Sequence, residues 1–348
     1  MLRLDIQQVP RWPGQQHLRP RAVPQISAAA CNPAHPADCR RTWPTITVGS
    51  APLFGVAVDQ ATDTVYVTNG GGNTVSVING ATCNALVTTG CGQTPATIAA
   101  GNGPAGLAIN YVTHTLYVAN SGDNTVSVIN TATCNAKTTS GCGQTPPTIT
   151  AGNGPIPVGV NQATDTIYVG NNGDSTVSVI NGVTCNAANS SGCGQDPPTV
   201  TVADSPYGLA VDQHTKTVYV VNTGNEFFAT GYANLTSSVS VINGATCNGQ
   251  VTSGCTTTPF AVPVGGFDWD VAVNPATDQI YVTSIVDSDV AVINGATCNG
   301  QDTSGCEPRL LPLWTGGWPT YIGLDPADGA MYIPDNVDQA VSVFRLPS

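Results

Sequence analysis

The chain has 348 residues, 41% of them apolar and only 9% charged, with 38 glycines and 26 prolines. That is ample chain for a sizeable core, but strong helix formers are scarce and β-branched residues dominate the apolar runs, which argues against a helical protein and for an all-β fold with many tight turns. Residues 1–41 hold six bases against two acids (+4) and the remainder four bases against twenty acids (−16), a sign that repels phosphate backbones and anionic membranes and excludes nucleic acid as a partner of the main body.

Residues 1–41 lack sustained strand periodicity and read as a mostly irregular extension carrying the first cysteine pair, Cys31 and Cys39. MLRLDIQQVPRWPGQQHLRPR contains no apolar run of signal-peptide length. Three explanations remain: a leader already removed, a misassigned start, or another export route. No stretch approaches the roughly 18 apolar residues of a membrane span. Within the extension, VPQISAAACN (Val23–Asn32) aligns without gaps to VSVINGATCN (Val75–Asn84), and CRRTWPTITVG (Cys39–Gly49) to CGQTPPTITAG (Cys142–Gly152). The chain therefore starts in the middle of a repeat unit.

From Thr42 onward the repeat is explicit. TVYVTNGGGNTVSVINGATCN begins at Thr64, TLYVANSGDNTVSVINTATCN at Thr115 and TIYVGNNGDSTVSVINGVTCN at Thr166, with more divergent copies from Thr217, Gln279 and Ala330. Each period contains four strand-like runs. The first is short and apolar on both faces (Gly55–Asp59, Gly106–Asn110, Pro157–Asn161, Gly208–Asp212, Asp270–Asn274, Tyr321–Asp325). TVYV and TVSVI are the second and third, and TITV or its variants the fourth. A period near 50 residues with four strands in series predicts β-propeller blades.

Counting first strands gives six blades over residues 42–348. The sixth stops after its third strand, and Thr45–Val48 is a fourth strand without a blade. The predicted fold is thus an all-β, six-bladed propeller of four-stranded antiparallel blades, closed by the N-terminal strand completing the C-terminal blade, which would remove two open edges. A seven-bladed ring with an N-terminal truncation is the alternative.

The twelve cysteines fall in pairs eight positions apart: Cys31–Cys39, Cys83–Cys91, Cys134–Cys142, Cys185–Cys193, Cys247–Cys255 and Cys298–Cys306. One pair per repeat selects local disulfides. Zinc ligation would want CxxC-like spacing and nearby histidines, and neither is present. Six local bridges imply an oxidising compartment, so the protein is expected outside the cell or on its surface.

These repeats resemble the YVTN family of β-propellers. The signature reads YVTN at Tyr66, YVAN at Tyr117, YVGN at Tyr168, YVVN at Tyr219, YVTS at Tyr281 and YIPD at Tyr332, with AVDxxTxTVYV-type flanks before it and NTVSVIN after it. The resemblance covers about Thr42 to the C-terminus and implies a propeller of an exported or surface-layer type. The cysteine hairpin between the third and fourth strands departs from typical members.

Functional signals are uneven around the ring. The loop between the second and third strands is short in blades 1–3 but grows by eleven residues in blade 4, Asn222–Ser238, where it carries Phe227, Phe228 and Tyr232. Loops joining blades, expected on the same face, bring Tyr207, Phe267-Asp268-Trp269-Asp270, Trp318 and Tyr321. Aromatic faces beside acceptor oxygens suit sugar rings or Lys- and Arg-bearing peptides. Tyr207, Phe227, Phe228, Tyr232, Asp268, Trp269, Asp270, Trp318 and Tyr321 are therefore the candidate ligand-binding set, with a polysaccharide or protein as partner and a monomeric chain.

No nucleophile–base arrangement is visible. His17 and His35 lie in the extension, and His114 and His214 in turns of the opposite face. Asp268, Asp270, Asp287, Asp289 and Asp335 would suit a hard cation such as Ca²⁺, although without EF-hand spacing; no other cofactor is expected. An exported, non-catalytic binding or surface-structure protein is the leading expectation. The alternative is a propeller hydrolase or lyase with an acidic, Ca²⁺-dependent mouth.

Overall fold

A computed structural model describes residues 22–24, 45–52, 54–84, 86–224, 237–311, 315, 317–326, 329–335 and 340–346. The fold is a six-bladed β-propeller. Blade 1 comprises Val56–Asp59, Thr64–Asn69, Thr74–Asn79 and Ala96–Ala99, in spatial order from the innermost strand outward. Blades 2 to 5 repeat that order from innermost strands Pro104–Asn110, Pro155–Asn161, Pro206–Asp212 and Asp268–Asn274. Blade 6 has three strands among the described residues, Gly323–Asp325, Ala330–Asp335 and Ala340–Arg345.

Burial explains the sequence pattern strand by strand. The second strands of blades 1–4 are buried at all six positions, so TVYVTN and its copies need apolar or small residues on both faces. The outermost strands alternate exposed and buried, and a single Ile or Val anchors each of them in blades 1 to 3 (Ile98, Ile149, Val200). Cores lie between blades rather than within them. Tyr66, Val75, Val77 and Ile98 of blade 1, for example, pack on Leu107, Ile109, Leu116, Val118 and Ile129 of blade 2.

The strand expected to close the ring has a different hydrogen-bonding partner. Thr45–Thr47 pairs antiparallel with Ala22–Pro24, Val23 facing Ile46, instead of with Ala340–Arg345. This register equals the Val75–Ile98 pairing of blade 1, as the alignment of the two segments requires. Local chain closure favours it, because bringing together segments a few tens of residues apart costs less entropy than pairing the two ends of the chain. Thr45–Thr47 nevertheless fills the outer-strand position ahead of blade 1. Its Ile46, with Val48, packs on Val65, Val67 and Ile78, as Ile98 packs on blade 2.

Five disulfides form as expected: Cys83–Cys91, Cys134–Cys142, Cys185–Cys193, Cys247–Cys255 and Cys298–Cys306. Cys31 and Cys39 lie outside the described residues. Four of these hairpins also clasp the preceding blade, which the spacing alone does not reveal. The Tyr66 hydroxyl donates to the Cys134 carbonyl at 2.8 Å, Tyr117 to Cys185 at 2.7 Å, Tyr168 to Cys247 at 2.7 Å and Tyr219 to Cys298 at 2.6 Å. Beside them, Thr64, Thr115, Thr166 and Thr217 accept backbone N–H groups of the next hairpin, from Ala136, Ala187, Gly249 and Gly300. The tyrosine of the YVTN-like motif is thus a buried inter-blade donor, and burial pushes these phenols far above their usual range.

A second lacing runs where the innermost strands end on the hairpin face. Tyr111 reaches the Val58 carbonyl (3.2 Å), Gln162 the Ile109 carbonyl (2.8 Å) and Gln213 the Val160 carbonyl (2.8 Å), each one blade back. The position is proline in blades 5 and 6 (Pro275, Pro326). Blades 1–4 are therefore laced more regularly than blades 5 and 6.

Candidate functional site

The loops joining the blades share a left-handed residue: Ala51, Gly103, Gly154, Ser205, Phe267 and Trp318 all have φ between 49° and 67°. Glycine tolerates this without cost, whereas an aromatic side chain gives up about 1–2 kcal/mol there. Blades 5 and 6 place the bulky Phe267 and Trp318 at this position, where blades 2 and 3 have glycine. Strained residues of this kind cluster at functional sites.

Tyr207 and Trp269, two residues further along in blades 4 and 5, and Phe54, three further along in blade 1, pack together. Tyr207 lies 4.3 Å from Trp269 and 6.3 Å from Phe54 of the opposite blade, ring centroid to centroid, and Phe267 lies 5.7 Å from Trp269. With Ile285 and Tyr321 these rings form one apolar cluster across the axis. Burial raises the Tyr207 phenol to about 12.

The structure therefore places the candidates differently from an open aromatic rim. Tyr207 and Tyr321 are half-buried, and Trp269 is 7% exposed with no hydrogen-bond acceptor for its indole N–H. Large rings that can meet across a narrow axis gain more by packing together than by facing water. Trp318, at 38%, is the most exposed aromatic of the set among the described residues. Phe227, Phe228 and Tyr232 lie outside the described residues.

The two aspartates beside Trp269 divide their tasks. Asp270 is buried and accepts the Ile322 N–H of blade 6 at 3.1 Å, while its own N–H meets the Thr283 hydroxyl, which donates to the Thr320 carbonyl. It is a strut between blades 5 and 6, at a position that is glycine in blades 1, 2 and 4. Glycine is needed there because the innermost strands crowd: a Cβ on Gly106 would stand 2.2 Å from the Ile156 carbonyl oxygen. Asp268 is 0% exposed, and its carboxyl is pushed up to about 8, chiefly by burial and then by Asp287 and Asp289. The Ser284 and Ser237 hydroxyls lie near enough to offset part of that rise, yet neither carboxylate oxygen reaches hydrogen-bond geometry.

Asp287 is a turn-closing residue. Its Oδ2 accepts the Gly266 N–H at 2.9 Å, as Asp123 and Asp174 accept Asn102 and Asn153 at 2.6 Å in blades 2 and 3. Asp335 is buried on the second strand of blade 6, facing Pro319 across an isolated antiparallel bridge. His214 is on the opposite face, its Nδ1 3.0 Å from Asp278. Among the described residues no group of three or more His, Cys, Asp or Glu side chains stands in metal-binding geometry, and no helix is long and apolar enough to cross a membrane.

The sequence reading missed Phe54 and Ile285 as members of the aromatic cluster. It also missed that Asp268 occupies a position that is proline in blades 2, 3, 4 and 6 (Pro104, Pro155, Pro206, Pro319). Aligning the six copies column by column through the joining loops would have exposed the second point.

No family model and no curated protein matches the chain. Solved structures do. A hydrazine synthase of Kuenenia stuttgartiensis superposes with a TM-score of 0.50 at 13% identity, covering 86% of this chain and 97% of that one. A chain of a nidogen/laminin complex gives 0.47 at 12% identity, covering 73% and 80%. At such identities the first likeness speaks for the propeller fold alone.

Proposed function

We propose that this protein is an exported, non-catalytic binding scaffold of the YVTN type, holding a polysaccharide or protein on the blade 4–6 rim of the face that bears the blade-joining loops. One observation carries the reading: departures from a regular repeat concentrate there. They include the enlarged loop with Phe227, Phe228 and Tyr232, the strained and exposed Trp318, and the aromatic cluster that braces the loops beneath. Five disulfides are typical of extracellular proteins and support export. A stiff ring that holds a few aromatics in fixed positions lowers the ordering cost of binding. A hydrolase or lyase would need a perturbed acid open to substrate. Two carboxyls are pushed up at this rim: that of Asp268 is fully covered, and that of Asp289, raised by burial and by Asp287, is partly exposed.

Glycan and peptide arrays probed with wild type and with a Trp318→Ala/Phe227→Ala/Phe228→Ala variant test the assignment. Loss of the wild-type signals in the variant is the expected result. Superimposable profiles for the two proteins would remove the rim from consideration.

A further inference from the structure

In blades 2 and 3 a row across the innermost, second and third strands reads Pro104–Asn120–Thr125 and Pro155–Asn171–Thr176. The central amide organises the row. Asn120 Nδ2 donates to the Thr125 hydroxyl at 3.0 Å and to Ser127 at 2.9 Å, while its carbonyl accepts the Gly101 N–H at 3.0 Å. Asn171 repeats each of these contacts.

Blade 5 replaces the row by Asp268–Ser284–Asp289. Residues facing one another across neighbouring strands project to the same side of the sheet, so all three share one face. The amide donor is gone, and the Ser284 hydroxyl is directed to the Gly266 carbonyl (2.9 Å) and to Asp287 Oδ2 (3.1 Å). Both oxygens of Asp268 and Oδ1 of Asp289 are left buried without a hydrogen-bond partner. The charged groups that face Asp268 are Asp287 and Asp289, of the same sign. The Ser237 hydroxyl beside it already accepts Asp268's own N–H at 3.0 Å.

Buried carboxylate oxygens without donors are costly unless something positive lies among them. A cluster that combines orphaned, buried carboxylate oxygens with hydroxyl oxygens whose protons are directed elsewhere, Ser284 to the Gly266 carbonyl and Ser237 to the Thr223 carbonyl, has the chemistry of a hard-cation site. We propose that Asp268, Ser284 and Asp289 form a site for one divalent hard cation of the Ca²⁺ type, set into blade 5 beside the aromatic cluster. Mg²⁺ fits less well, because it sheds its water reluctantly and demands regular octahedral geometry. With two carboxylates rather than three, and the rest of the shell neutral, the affinity falls in the range of about 10⁻⁴–10⁻³ M seen for extracellular modules. The ion would tie the first three strands of blade 5 together in place of the Asn–Thr pair. This inference does not depend on the ligand-binding role proposed for the rim.

The test is calorimetric titration of Ca²⁺ alone into chelator-treated full-length protein, with Tm read in parallel. It compares wild type with S284N/D289T, which restores the Asn–Thr pair of blades 2 and 3, and with Asp268→Asn, which keeps the shape and removes the charge. Wild type is expected to bind one ion per chain and to gain about 5 °C in Tm at a hundredfold excess over Kd. Both variants should show neither heat nor a Ca²⁺-dependent shift, and S284N/D289T should melt in EDTA no lower than wild type. Absence of uptake by wild type at millimolar Ca²⁺, or undiminished uptake by the variants, overturns the site. A Tm that rises on acidification and ignores Ca²⁺ assigns the carboxylates a shared proton, and overturns it too.

Discussion

The inter-blade clasp makes a quantitative prediction. Tyr117 is fully buried, and its hydroxyl donates to the Cys185 carbonyl at 2.7 Å across the blade 2–3 boundary. Tyr117→Phe keeps the ring and its packing but strands that carbonyl, which should cost about 1–3 kcal/mol. Tyr281 is the internal control. It is also buried, but its hydroxyl bonds Gln279 Oε1 within its own strand at a partly exposed place. Water replaces that partner, so Tyr281→Phe should cost about 0.5 kcal/mol or less.

Urea unfolding of the oxidised proteins measures both costs, provided that m is unchanged. The same pair measured after reduction adds a second reading. With Cys185–Cys193 open, the hairpin no longer fixes the carbonyl, and the Tyr117→Phe cost should shrink towards that of Tyr281→Phe. Equal costs for the two variants in oxidised protein would refute the clasp.

Other outcomes follow from the same geometry. Replacing Cys134 and Cys142 by Ser should cost about 2–3 kcal/mol from loop entropy, with a further loss from the Tyr66 contact, measurable as a fall in the urea midpoint. Gly106→Ala should destabilise by about 1–3 kcal/mol, because its Cβ would meet the Ile156 carbonyl at 2.2 Å, whereas Gly143→Ala, with nothing within 4 Å, should be neutral within about 0.5 kcal/mol. Tyr66, Tyr117, Tyr168 and Tyr219 all have phenols raised mainly by burial. Above pH ~10 the unfolded chain releases these protons and the folded one keeps them, so stability is full below that pH and falls as pH rises. The slope should reach about 1.4 kcal/mol per pH unit for each phenol, and phenolate absorbance should appear with unfolding rather than before it. Phenolate titrating ahead of unfolding would contradict the buried donors.

Much of the scaffold was legible because its rules are local and repeated. Alternating Val, Ile and Thr runs, turn residues at fixed offsets and paired cysteines recur with a period near 50, and six copies average out the ambiguity of any one. The candidate site was less legible for a physical reason. Tyr207 and Trp269 look like surface aromatics when read along the chain, but they meet Phe54 only because blades 1 and 4 face each other across the axis. Trp318 looks the same in sequence and remains exposed.

By itself the sequence determined the blade, its order of strands and the disulfide of each repeat, since these depend on residues within one period. Only the tertiary structure decided what lies between periods. It assigned the motif tyrosine to the neighbouring hairpin and gathered the aromatics on the axis. It also left the Asp268 and Asp289 oxygens without donors. The hairpin clasps and the Tyr207 contacts with Trp269 and Phe54 join residues more than 50 positions apart, and their partners are fixed by ring closure and packing rather than by local propensity.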